Sequence, residues 1–240
     1  KEVKAALPDV RVTYADVWEY WIKYPHIKDV TDFVTIHILP YWEDDPMEIT
    51  SAIKHLAEVR HEVEGILKTS DILIGETGWP SEGRMREDAL PSKTNQAIFV
   101  REFVKLAEEK NWNYNIIEAF DQPWKRVSEG AVGGYWGLFD KDRLDKNVFA
   151  GDVSDFPNYK YLALGSLLLV LVFSLLLRNS NISRNKAILF TAVNTLFAIL
   201  YMLQMEQFDM TVRSQGEIVW ATLVLITHLS IYYFVLLNIA

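Results

Sequence analysis

Apolar and polar positions divide the chain into two regions of different character. In the first, four short apolar segments recur: Val10 to Ala15, Phe33 to Leu39, Ile72 to Gly75 and Tyr114 to Phe120. Each is nearly continuous rather than alternating, which predicts parallel strands buried on both faces. Between the second and third, Ile49, Ile53, Leu56, Val59, Val63 and Ile66 keep helical spacing, with Asp45 as cap and Pro46 in the first turn. Between the third and fourth, Ala97, Val100, Phe103, Val104 and Ala107 predict a second helix that starts at Ser92. Strand, helix, strand, helix is the order of βα units around a parallel sheet. A unit of about 40 residues suits a βα barrel, which takes about 250 residues when complete. Four strands within residues 1–158 therefore predict an α/β fold that is half of a (β/α)8 TIM barrel, with the N-terminal half outside the chain. Half a barrel has open sheet edges, so instability is expected of it as a separate soluble module.

After Pro157 the pattern changes to three long apolar stretches, 161–177, 187–205 and 218–240. At about 1.5 Å per residue they reach roughly 25, 28 and 34 Å, against a hydrocarbon core of about 30 Å. They predict a transmembrane region over residues 159–240, and a lipid bilayer as partner. The first connecting loop carries Arg178, Arg184 and Lys186 and no acid, whereas Glu206 to Glu217 carries three acids and Arg213. The positive-inside rule then puts the first loop in the cytoplasm and the preceding region on the periplasmic or extracellular side of the cell (inner) membrane. His228 lies in the middle of the third stretch, as a functional ionisable group or as a neutral, hydrogen-bonded one. Asn194 is expected to contact another helix.

Charge follows the same division. Residues 1–158 hold 19 Lys and Arg against 29 Asp and Glu; residues 159–240 hold 5 against 3. The acidic first region has no basic footprint for nucleic acid. An aromatic content of 13% excludes disorder, and zero cysteines exclude disulfides, a thiol nucleophile and thiolate metal sites. The sequence opens on Lys1 and closes within an apolar run at Ala240, from which a fragment of a larger protein is expected.

In βα barrels the chemistry lies at the C-terminal ends of the strands. Here those ends are crowded with carboxylates and rings: Asp16, Trp18, Glu19 and Trp21; His37, Tyr41, Trp42, Glu43, Asp44 and Asp45; Glu76 and Trp79; Glu118, Phe120, Asp121 and Trp124. Carboxylates among exposed rings suit sugars, whose C–H faces stack on rings while their hydroxyls bond to acids. Neither a phosphate-binding glycine loop nor a metal-ligand histidine cluster is present, so no cofactor or metal is expected. Glu76 is the sharpest candidate. It ends an apolar strand, with Gly75 and Gly78 allowing close approach of a ligand and Trp79 offering a wall; the alternative is a carboxylate bonded to backbone amides. Glu118, inside the fourth strand, needs partners if buried. His37 points into core or mouth. His55 and His61 are expected to be solvated, Trp112 to pack at a helix end, and Asp140 to Asn158 to return the chain from barrel to membrane.

The run Ile74-Gly75-Glu76-Thr77-Gly78-Trp79-Pro80-Ser81 resembles the nucleophile motif of glycoside hydrolase family 17, the β-1,3-glucanase family. Four further pieces, Tyr14 to Glu19, His37 to Glu43, Glu118 to Lys125 and Gly133 to Phe139, resemble its bacterial membrane-bound branch, and the resemblance spans Val10 to Val153. It implies a βα barrel whose fifth to eighth strands are the four seen here, and a retaining mechanism with Glu76 as nucleophile. The family's acid/base is a Glu after Asn at the end of the fourth strand. No such pair stands at a strand end here, so it is expected in the missing half, leaving the fragment itself inactive. The resemblance also implies Trp42, Trp79 and Trp124 as sugar platforms, with Tyr14, Asp16, His37, Tyr41, Glu118 and Asp121 as nearby hydrogen-bonding groups. The implied partner is a β-glucan oligo- or polysaccharide, with water or a sugar as acceptor, and a fused or associated glycosyltransferase domain occurs in some bacterial relatives. Two other readings stand beside this one: a non-catalytic β-glucan-binding module of a membrane glucan synthase, and a transporter with an acidic extracytoplasmic domain.

Overall fold

A computed structural model of the chain describes residues 2–178, 182–208, 212 and 214–240. The chain divides into two compact units, Lys1–Asp155 and Phe156–Ala240.

In the first unit the order is α1 (Glu2–Ala6), β1 (Ala15–Val17), α2 (Trp18–Lys23), β2 (Val34–His37), α3 (Ile49–Leu67), β3 (Ile72–Thr77), α4 (Lys93–Lys110), β4 (Asn113–Ile116) and α5 (Arg126–Glu129). The strands form one sheet in the order β1-β2-β3-β4, and every pair is parallel. Each crossover returns the chain to the same end of the sheet, so all four C-terminal strand ends share one rim. The expected parallel βα arrangement holds, with shorter strands than the apolar runs. Val10 to Tyr14 lies along the 32–35 segment without entering the ladder as strand. Asp32 takes the Val12 N–H at 2.8 Å, and the Thr13 hydroxyl bonds the Phe33 carbonyl at 2.9 Å and meets the Thr35 hydroxyl at 2.9 Å. After Ile117 the run stays extended but pairs with 136–139: Glu118 N–H donates to Trp136 O and Leu138 N–H to Glu118 O, at 2.9 and 2.8 Å.

Packing follows the predicted stripes except at the end of α3, where Leu67 is buried and the expected Ile66 is exposed. Helix α3 buries Ala52, Leu56, Val59, Val63 and Leu67; α4 buries Ala97, Phe99, Val100, Phe103 and Ala107. All of these except Ala97 and Val100 pack with Val34, Ile36, Ile72 and Ile74 in one core. Ser92 caps α4 as expected, accepting the Asn95 N–H at 3.0 Å. The start of α3 differs from expectation: it begins at Ile49, not beside Asp45. Glu48, extended at φ −64° and ψ 155°, takes the N-cap position in its place, so Asp45 to Met47 belong to the preceding loop, in which Arg86 donates to the carbonyls of Tyr41 and Glu43 at 3.1 and 2.8 Å. Trp112 packs against the core, with the Arg60 guanidinium 4.8 Å from its ring. The 140–158 stretch is more than a connector, because Arg101 bonds the carbonyls of Asn147, Val148 and Gly151.

The second unit has α6 (Tyr159–Leu176), α7 (Arg184–Glu206) and α8 (Gln215–Ile239). Among the described residues these three helices are long and apolar enough to cross a membrane. Phe173, Ala198, Tyr232 and Leu236 form their shared core. Asn194 makes the expected interhelical contacts, donating to Val170 O and Ser174 Oγ at 3.1 Å each, and it accepts from the Tyr232 hydroxyl. His228 meets Gln204 Oε1 through Nδ1 at 2.6 Å. Of the acidic second loop, Asp209 and Arg213 lie outside the described residues.

Candidate active site

The rim is built around an irregularity in β3. Ile36 of β2 sits opposite Ile74, yet the next residue, His37, sits opposite Glu76 rather than Gly75. The pairing with β4 slips at the same place, from Ile74↔Tyr114 to Thr77↔Ile116. Strand β3 therefore carries one extra residue against both neighbours, a bulge centred on Gly75 and Glu76. The bulge turns Glu76 towards His37. The Glu76 carboxyl is 43% exposed, and its Oε2 lies 3.1 Å from His37 Nδ1. Thr77 then falls on the buried face and is fully enclosed. The two glycines act differently from expectation. A Cβ on Gly75 would lie 2.5 Å from the Thr35 methyl, and one on Gly78 would lie 2.6 Å from the Ile117 carbonyl. They admit the protein's own neighbours, not a ligand.

Beside His37, one strand over, Tyr14 donates its hydroxyl to Asp16, which also takes the Val17 N–H at 2.8 Å. The Tyr14 bond, then the backbone bond, hold the Asp16 carboxyl below its ordinary range; the same bond is the largest cause raising the Tyr14 phenol. On the β2–α3 loop, Trp42 is 41% exposed and lies flat over the buried Trp136, centroids 6.2 Å apart and planes 17° off parallel. Tyr41 stands edge-on to both rings, at 4.9 and 6.1 Å. Trp42 is thus an open ring on a rigid aromatic base. Trp124 is 68% exposed, and beside it Lys125 donates to Glu118 Oε1 at 2.6 Å.

Three expected contact residues do not reach the surface. Trp79 is fully buried, donates Nε1–H to the Leu90 carbonyl at 3.0 Å and packs 5.9 Å from the Phe99 ring. It supports the rim from below and offers no platform. Tyr41 is buried, with its hydroxyl committed to the Arg84 carbonyl at 2.7 Å. Asp121 takes the Gly137 N–H at 2.8 Å and the Lys146 ammonium at 3.0 Å, with both side chains 8% exposed. Burial is the largest influence on that pair, raising the acid and lowering the amine, and their mutual attraction opposes it. Lys146 also bonds Ser81 Oγ and Gly137 O at 2.7 Å each, so the pair ties rim loops together.

The remaining open set is Tyr14, Asp16, Trp42, Glu76 and Trp124; His37 is largely buried behind Glu76, and Glu118 is mostly covered, paired with Lys125. Sequence reasoning overlooked Trp136, Lys125 and Lys146 as partners. Lys125 was legible as the end of the Glu118 motif, but Lys146 is 25 residues from Asp121 with no local pattern to link them. His61 is exposed as expected, whereas His55 is partly buried and pairs with Glu43; Glu19 nearby is raised chiefly by burial and then by Glu43 and Asp44. Among the described residues no cluster of three His, Asp or Glu side chains could hold a metal ion.

A parallel βα sheet of barrel type with carboxylates and rings at its C-terminal rim is the framework of a βα-barrel glycoside hydrolase. Residues 1–137 match the family model for the BtgE/BtgC glycoside hydrolase domain, and the chain belongs to that family, in agreement with its resemblance to glycoside hydrolase family 17. A glucan 1,3-beta-glucosidase of Saccharomyces cerevisiae is 30% identical over 119 residues, covering 46% of this chain and 37% of that protein. A probable beta-glucosidase btgE of Aspergillus fumigatus is 32% identical over 111 residues, covering 46% and 19%. Among solved structures, an active-site mutant of Rhizomucor miehei beta-1,3-glucanosyltransferase in complex with laminaritriose superposes with a TM-score of 0.56 at 26% identity, over 64% of this chain and 55% of that one. The chain thus spans about half the length of that solved relative and less of the two others.

Proposed function

We propose that the chain is the nucleophile-bearing part of a membrane-anchored, retaining glycoside hydrolase or transglycosylase acting on β-1,3-glucan. The observation that carries this reading is Glu76: a half-exposed carboxylate, turned by the β3 bulge onto the C-terminal rim beside His37. The laminaritriose complex of the Rhizomucor miehei glucanosyltransferase supports the substrate class. In the proposed reaction Glu76 attacks the anomeric carbon as the glycosidic bond breaks, and a second carboxylic acid about 5 Å away protonates the leaving oxygen. That second group then deprotonates water or an acceptor sugar, which displaces Glu76 from the glycosyl ester. Trp42 and Trp124 are the open rings for sugar stacking, and Tyr14, Asp16 and Glu118 are the polar groups beside them. The open carboxylates of this rim do not include an Asn-Glu pair at a strand end, so the acid/base is assigned to the rest of the protein.

Helices α6, α7 and α8 are proposed as the anchor, at about 27, 35 and 38 Å for their 18, 23 and 25 residues. By the positive-inside rule, the basic loop between α6 and α7 supports an extracytoplasmic side for the catalytic unit.

Glu76→Gln in the full-length protein tests the assignment. Loss of laminari-oligosaccharide turnover by about a thousandfold or more, with an unchanged circular dichroism spectrum and melting temperature, is the expected result. Full activity in that variant removes Glu76 from the role. The exposed rings of Trp42 and Trp124 also favour a second reading, a glucan-binding module without turnover; binding of laminari-oligosaccharide with no product from the wild-type full-length protein would select it.

A further inference from the structure

We propose that His37 is a positioning residue for Glu76, holding one carboxylate oxygen so that the other attacks, and that it does not bind the glucan itself. The inference rests on Glu76 being the nucleophile.

Three observations converge on it. The register slip puts His37 opposite Glu76, and only a strand with one extra residue at that place does so. The imidazole Nδ1 lies 3.1 Å from Glu76 Oε2, and the ring is largely buried, at 19% side-chain exposure, where the carboxyl is 43% exposed. Its other edge is occupied as well: a Cβ on Gly75 would sit 3.2 Å from Nε2 and 3.3 Å from Cδ2, so the ring fills the space that a side chain at position 75 would take. Nδ1 therefore faces Glu76 at ion-pair distance, and the Nε2 edge lies over Gly75, where only a residue without a side chain leaves room for it. Asp16, the other acid near the ring, is already engaged by Tyr14 and by the Val17 N–H.

The chemistry of a glycosyl ester gives this arrangement a purpose. An exposed glutamate turns about three side-chain bonds, and holding it in one rotamer costs conformational freedom that a fixed neighbour supplies in advance. A donor on Oε2 leaves Oε1 as the attacking atom. When the Oε1–C1 bond forms and the electron pair of the glycosidic bond leaves with its oxygen, Oε2 becomes the ester carbonyl and stays beside Nδ1. The contact thus persists from carboxylate to ester. It acts on a group in the covalent step and not on sugar held in the ground state.

The test uses the full-length protein and 4-nitrophenyl β-laminaribioside, whose leaving group departs without a proton. His37→Asn puts an amide N–H near the place of Nδ1, His37→Gln puts one near the place of Nε2, and His37→Phe keeps the ring without a donor. His37→Phe and His37→Gln are expected to lower kcat by about 100-fold with KM within about twofold, and His37→Asn to stay within about fivefold of wild type. The Gln variant keeps a polar side chain of similar reach, so the comparison of Gln with Asn decides the matter even where Phe fails to fold. A loss in KM with kcat retained makes His37 a sugar contact and overturns the proposal; so does an Asn variant as slow as Gln, or a Gln variant as fast as Asn. Glu76→Gln run in parallel separates the two layers, because full activity there sinks the nucleophile assignment whatever the His37 variants do.

Discussion

At the scale of single residues, the rim separates rings that are open from rings that are structural, and exposure decides between them. Trp42 and Trp79 stand in similar strand-end motifs, yet one faces solvent over Trp136 and the other is enclosed beside Phe99. Their alanine variants should therefore fail in different ways. Trp42→Ala removes a stacking face, so laminari-oligosaccharide affinity of the full-length protein falls by about tenfold with little change in melting temperature. Trp79→Ala opens a core cavity and leaves the Leu90 carbonyl without its donor, which costs about 3–5 kcal/mol of stability. Isothermal titration and denaturant melts on both variants distinguish the two outcomes. The same logic explains Asp121. Its motif reads as a sugar contact, but its carboxylate is saturated by Lys146 and the Gly137 N–H. No spacing rule predicts a lysine that far along the chain as its partner.

At the scale of elements, the helices were legible and the strand ends were not. The apolar stripe of α4 and its cap at Ser92 follow from sequence, because both are local: a 3.6-residue period and an oxygen one turn before a free N–H. Ser92→Ala should cost about 1 kcal/mol, read as a shift in denaturation midpoint, while Ser92→Asp retains the cap. The boundaries that went astray depend on partners distant in sequence. Arg86 ties down the loop before α3 by bonding carbonyls 43 and 45 residues earlier, and residues 136–139 take over the pairing of the run after β4. The bulge in β3 is a middle case. Gly75 within an apolar strand is its sequence trace, but reading it as space for a ligand missed that the space is filled by Thr35 and His37. The identity of Glu76 as the outstanding strand-end carboxylate was legible from its position after four apolar residues; its orientation came from the bulge.

At the scale of the whole molecule, two units with different surfaces lie in one chain, an acidic βα sheet and a three-helix unit with outward apolar side chains. The first has a parallel sheet whose outer strands, β1 and β4, have a strand partner on one side only among the described residues. In the second, the buried Asn194 and the exposed His228 both find partners on neighbouring helices. The proposed topology makes a direct prediction for cells. Alkaline phosphatase fused between Arg178 and Arg184 should be inactive and a fluorescent protein there should fold; active phosphatase at that loop would invert the orientation. The central claim, a covalent bond from Glu76 to a sugar, has a more direct test than any rate. Incubate the full-length protein with a 2-deoxy-2-fluoro β-laminaribiosyl fluoride, digest it and map the modified peptide by mass spectrometry. The account predicts one glycosyl ester on the peptide that contains Glu76; a label on any other side chain would contradict it.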